Sequence, residues 1–273
     1  MAITTPAGTS RRNFIRLTGT LGMAAGLAVS LAACGGKGKA SGGAKASGMA
    51  ADQEVTHKDG VITAGISYEL GTNGYDPATT SSALTIAANW HTMEGLTDIH
   101  PATREVYAAL AAEMPKKVDD TTYEVALRKD AKFSDGSAIT SAHIKHGVER
   151  SFALALSGGL GYHKTLLAGA EGYQGPYSGA HLDSIETPDE STIVFHLARA
   201  FGDWPWIVAQ PAFSPVPEGD DPATYSHAPI ASGPYQIDQY KQGSSITLKR
   251  NPHWSKDTDS IRLALPDTFT FSL

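Results

Sequence analysis

The sequence predicts a mixed α/β protein whose strands lie in more than one sheet. Three observations carry this. Short runs that alternate apolar and polar residues recur, as at 123–128 and 191–197, so that one face of a strand is apolar. Two other stretches, 81–94 and 140–152, repeat their apolar residues at helical spacing. Of 273 residues, 41% are hydrophobic and 18% charged, the balance of a folded chain rather than a disordered one.

Positions 1–33 read as an address, not as fold. Ser10-Arg11-Arg12-Asn13-Phe14-Ile15-Arg16 is a twin-arginine pattern, and the run from Leu17 to Ala33 carries no charge. A spanning helix needs about 20 more strongly apolar residues, so this shorter run reads as an export signal. It closes on Leu31-Ala32-Ala33-Cys34, which resembles the lipobox of bacterial lipoproteins, where the cysteine thiol takes a diacylglyceryl group. Arg11 and Arg12 are therefore the expected signal motif and Cys34 the expected lipidation site. A buried apolar Cys34 is the alternative, and three signals in the correct order argue against it. Residues 34–58, rich in Gly, Ala and Ser with spaced lysines, read as a flexible linker. Residues 59–273 are the expected folded part.

Along that part, Val61 to Ile66 is a short apolar run suited to a buried strand, and Asp76-Pro77 breaks the chain. Leu84, Ala87, Ala88 and His91 predict a helix within 81–94, which Gly95 ends; Leu96 to Ile99 follows as a strand. Tyr123, Val125 and Leu127 share one face of a half-buried strand. Thr140 is placed to cap a helix containing Ile144 and Val148, because its hydroxyl can accept an orphan amide proton. Two strands, 183–187 and 191–197, flank a turn at Pro188-Asp189-Glu190, and a hairpin is predicted around Gln242-Gly243-Ser244.

Chemistry is harder to find. The net charge is −6, and −9 without positions 1–33, which hold three arginines and no acid. A nucleic-acid binder would need a basic stripe instead. One cysteine leaves no internal disulfide and no multi-cysteine metal site. No motif of a serine hydrolase, a zinc protease or a phosphate loop is present, and Gly159-Leu160-Gly161 lacks a preceding strand. His143, His146 and Glu149 could offer metal ligands from one helix face, and an exposed polar face explains the spacing equally well. Trp204-Pro205-Trp206 is a stacking platform or a packed anchor, with packing favoured. Asp257 and Asp259 read as solvated loop residues. The sequence thus assigns no catalytic residue, metal ligand or cofactor.

Four stretches carry a resemblance. They are Met93 to Asp98 with Ala109 to Glu113 behind it; Tyr123 to Gly136, ending in Leu127-Arg128-Lys129-Asp130-Ala131-Lys132-Phe133-Ser134-Asp135-Gly136; the helix opened by Thr140-Ser141-Ala142-His143; and Ala231 to Tyr235 followed by Ile246 to Trp254. In this order they resemble the family 5 extracellular solute-binding proteins of ABC importers. An acidic residue is usual at position 143 in that family, so half of a capping box is expected to be missing.

The resemblance implies a type II periplasmic-binding-protein clamshell and a lipid-anchored, non-enzymatic protein on the extracytoplasmic face of the cell membrane. Its partners would be an oligopeptide or dipeptide ligand, or nickel, haem or sugar as in some relatives, and ABC permease subunits. By rough position Tyr68, Glu69, Asn73 and Tyr162 would face the cleft. The family chain is longer, so the sequence is expected to hold the N-terminal lobe region, with 266–273 leading toward a second large lobe. An exposed apolar patch and weak peptide binding by this chain are the corollaries. A surface lipoprotein without a transport role and a secreted hydrolase are the competing readings.

Overall fold

The computed structural model describes residues 59–66, 75–259 and 261–273, all within one compact unit spanning 51–273. Arg11, Arg12, Cys34, Tyr68, Glu69 and Asn73 lie outside the described residues.

The elements are β1 (Val61–Gly65), α1 (Ala83–Thr92), β2 (Thr97–Ile99), β3 (Val106–Ala108), β4 (Lys116–Lys117), β5 (Thr122–Ala126), α2 (Ser141–Arg150), β6 (Ile185–Asp189), β7 (Thr192–His196), the single turn α3 (Trp204–Ile207), β8 (Tyr235–Lys241), β9 (Ser245–Arg250) and β10 (Thr268–Ser272). Short 3-10 turns fill the connections. The described strands form two four-stranded sheets, β1-β10-β9-β8 and β4-β5-β7-β6, and a β2-β3 pair.

In the second sheet the alternation works as expected. Tyr123 faces Phe195 and Val125 faces Ile193 across β5–β7, and these four are buried while their neighbours are less so. They join Ile144 and Val148 of α2, Trp204 and Phe213 in the larger core. Trp204 is fully buried, edge-on to Phe213 with centroids 5.7 Å apart, so it is an anchor and not a platform; Trp206 is exposed. Pro188 lies inside β6 rather than in the turn, which falls at Glu190-Ser191. The register of β6 shifts between Glu186 and Asp189, and an irregular edge strand tolerates a residue without an amide proton.

The first sheet has its own smaller core. Tyr75, Ala88, Tyr235, Ile246 and Leu248 are buried together, with Phe269 and Phe271 packed against them. Ser82 caps α1 by accepting from the Thr85 amide at 3.2 Å. Gly233 lets the chain pass close under α1: a Cβ there would lie 2.9 Å from the Thr92 carbonyl carbon. Among the described strands β1 lies at the sheet edge, with Val61 and Ile62 exposed, where the sequence pointed to a buried one.

The capping expectation for α2 is corrected. His143 replaces the missing acid: its Nδ1 accepts from the Thr140 amide at 3.0 Å. Burial lowers the His143 pKa, which favours the neutral ring that this contact requires.

Candidate functional site

β1 and β10 are parallel neighbours, with Val61 opposite Thr268 and Gly65 opposite Ser272. Their carboxyl ends therefore emerge on one side, joined by the Ile66 amide donating to the Ser272 carbonyl at 2.8 Å. In open α/β sheets ligands bind beyond such carboxyl ends. A shallow, mainly apolar hollow lies there, lined by Ile66, Tyr240, Ile246, Phe271 and Leu273. Residues 67–74, which include Tyr68, Glu69 and Asn73, follow this edge in the sequence and are not described.

Aromatic packing fixes the floor of that edge. Alternation along Thr268-Phe269-Thr270-Phe271 puts both phenylalanines on one face, their rings nearly parallel at 6.4 Å. Phe269 packs against His91 of α1 at 4.7 Å and edge-on to Tyr235 at 4.9 Å. Burial, helped by the charge of Arg262, lowers the His91 pKa to about 4, so the ring is neutral near pH 7.

Two buried ionic networks hold the surrounding segments. In one, Arg262 pairs with Glu94 at 2.9 Å and with Asp259, and donates to the Trp90 and Met93 carbonyls at 2.9 and 3.1 Å. Those carbonyls end α1, where a cation is favoured. Burial raises the Glu94 pKa against the pull of Arg262 and Arg128. Asp259 is thus buried, not solvated as its polar loop suggested. In the other network, Arg150 grips Asp76 and Asp220, and His146 Nε2 lies 2.6 Å from Asp220. Arg150 also sits 4.7 Å from the Tyr225 ring centroid.

The three residues of the α2 face turn to different partners. His143 caps α2, His146 turns to Asp220, and Glu149 accepts from the Leu182 amide at 2.7 Å and pairs with His181. Each has its own structural partner. Among the described residues no group of three or more His, Cys, Asp or Glu is placed to hold a metal. Tyr162 stands on a 3-10 turn and is 62% exposed; it does not line the hollow at the β1–β10 edge. The residues that line it, Ile66, Tyr240, Ile246 and Phe271, were not singled out as site residues, because each reads locally as an ordinary strand residue.

The architecture, one mixed and one antiparallel four-stranded sheet with helices packed on them and a parallel pair at one edge of the mixed sheet, is that of a type II periplasmic binding protein. Residues 105–271, more than half of the chain, match the family model for bacterial extracellular solute-binding proteins, family 5 Middle, and the chain belongs to that family. It is 26% identical over 185 residues to the dipeptide-binding protein DppE of Bacillus subtilis, covering 63% of this chain and 33% of the relative. It is 25% identical over 197 residues to the probable D,D-dipeptide-binding periplasmic protein DdpA of Escherichia coli, covering 66% and 35%. Among solved structures, the clavulanic acid biosynthesis oligopeptide binding protein 2 superposes with a TM-score of 0.72 at 33% identity, over 79% of this chain and 40% of that one. OppA of Listeria monocytogenes bound to peptide matches in fold, with a TM-score of 0.65 at 19% identity. The chain spans about a third of the length of these curated relatives.

Proposed function

We propose that this chain belongs to the peptide-capturing component of an ABC importer, exported by its twin-arginine signal (1–33), anchored through a diacylglyceryl group on Cys34, and joined by a linker (34–58) to the binding fold (59–273). The family match over residues 105–271 carries the reading, because the relatives it shares are named for dipeptide and oligopeptide binding. The edge position of β1 supports it: an extended peptide can pair with an exposed strand edge and meet apolar side chains beside it. Tyr68, Glu69 and Asn73 would reach the ligand from the segment after β1. Delivery to permease subunits follows from the family role.

Two experiments test this. Cells expressing the chain are fed an alkyne-bearing fatty acid; the lipid label is expected on the chain and is expected to vanish in Cys34→Ala. Label retained in that variant, or never present, removes the anchor. Separately, uptake of labelled di- and oligopeptides is compared with and without the gene. Uptake that does not change removes the transport role.

A further inference from the structure

The hollow at the β1–β10 edge has a neighbour. It is a cleft of about 240 Å³, walled by Leu156, Pro222 and Ala223, with Ser226 and His227 at its side. Tyr240 lines the hollow and His227 lines the cleft, and their ring centroids are 5.8 Å apart. The two depressions therefore adjoin across one pair of rings. They differ in size. The hollow, about 20 Å³, has room for the tip of one side chain. The cleft approaches the roughly 300 Å³ at which small-ligand clefts begin. Both have apolar walls. Asp76 also lines the cleft, but its carboxylate is held by Arg150 at 2.6 and 2.9 Å. Ala223 and His227 are exposed, so a ligand can reach them. Side chains of an extended peptide alternate in direction, so residues i and i+2 share a face about 7 Å apart. That spacing suits two adjoining depressions, with residue i+1 pointing away. A dipeptide puts its two side chains on opposite faces and can fill only one.

We propose that the ligand of this lobe is a peptide of three residues or more with apolar side chains at i and i+2, one set in the hollow and the other in the cleft. A dipeptide is then a poor ligand. The inference rests on the reading of the chain as peptide-capturing, and it names the class of peptide.

The test titrates the peptides Leu-Gly-Leu, Gly-Leu-Gly and Leu-Gly separately into the full chain carrying nitrogen-15 histidine. Saturation transfer from the chain to each peptide reports binding anywhere on the molecule. The His227 signal, identified by its loss in His227→Gln, reports binding at the ring pair. Leu-Gly-Leu is expected to move that signal to saturation. It is expected to bind about fivefold or more tightly than either other peptide, the contribution of one more partly buried leucine side chain. Ala223→Leu fills the cleft and is expected to remove this preference while Leu-Gly binds as before. The spread of the other histidine signals reports that the variant is folded. No transfer to any peptide overturns the peptide reading and the inference with it. Transfer with a stationary His227 signal, or Leu-Gly bound as tightly as Leu-Gly-Leu, overturns the inference alone. So does a preference that survives Ala223→Leu in a folded chain.

Discussion

The guanidinium of Arg150 holds the carboxylate of Asp76 with two parallel bonds, Nη1 to Oδ1 at 2.6 Å and Nη2 to Oδ2 at 2.9 Å, and neither side chain reaches solvent. This fork joins α2 to a segment 74 residues earlier in the chain. Removing one partner strands the other charge in the interior. Asp76→Asn is expected to cost about 3 kcal/mol, read as a lower urea midpoint with unchanged slope. A loss under about 1 kcal/mol would mean that Asp220 alone can satisfy the arginine.

His163 is fully buried, and its Nε2 is 2.8 Å from Ser151 Oγ, which donates onward to the Val148 carbonyl. The ring nitrogen must then be the donor to Ser151, so the neutral Nε2–H tautomer is required. Burial, with the nearby Lys164 charge, lowers its pKa to about 3. The unfolded value is about 6.5, so between these limits the unfolded chain binds one more proton. Stability is therefore full above about pH 6.5 and falls as the pH drops toward 3, by at most about 1.4 kcal/mol per unit. His91 adds to the same slope above about pH 4. Urea melts at pH 7.5, 6 and 5 should show a steeper loss in the parent than in His163→Phe; equal slopes would sink the assignment.

Gly147 sits inside α2, where alanine normally stabilises by about 1 kcal/mol. Here an added Cβ would come 2.2 Å from the Ser214 carbonyl oxygen. The clash involves backbone and has no soft side chain to move aside. Gly147→Ala is expected to lower stability by about 2 kcal/mol, and a rise in thermal midpoint would refute the close approach of α2 to residue 214.

His143→Glu restores an acid at the third position of α2. The carboxylate can accept from the Thr140 amide as the imidazole does and also favours the positive end of the helix. A gain of about 0.5 kcal/mol at pH 7 is expected, and His143→Ala should lose about 1 kcal/mol. Thermal melts of the two variants should bracket the parent.

The sheets and helices were legible because their information is local. Tyr123 and Val125 declare a strand by alternation alone, and Thr140 declares a helix start by its place before Ile144. The ionic networks were not legible. Arg262 meets Glu94 and Trp90, which lie far from it in sequence and carry no periodic mark, so Asp259 read as an ordinary loop acid. The substitution of an imidazole for a capping carboxylate escaped for a related reason: only geometry shows that Nδ1 can serve as the acceptor. Of the expected ligand residues, Tyr162 was assigned by rough position, and position does not report whether a side chain lines a particular hollow. The β1–β10 edge was hidden in a different way, since parallel pairing leaves no turn between the partners to announce it.

That pairing has a bearing on synthesis. Among the described residues β1 has one sheet neighbour, β10, which pairs Val61 with Thr268 across most of the sequence. During translation β1 leaves the ribosome long before its partner exists, while the β5–β7 sheet and the β8–β9 hairpin can already form around their nearer contacts. Synthesis proceeds from the amino end at about 5–20 residues per second, so β1 waits on the order of ten seconds or more as an unpaired strand. A segment in that position invites chaperone binding in the nascent chain. Of the described strands, the last to be made is the one that closes the first.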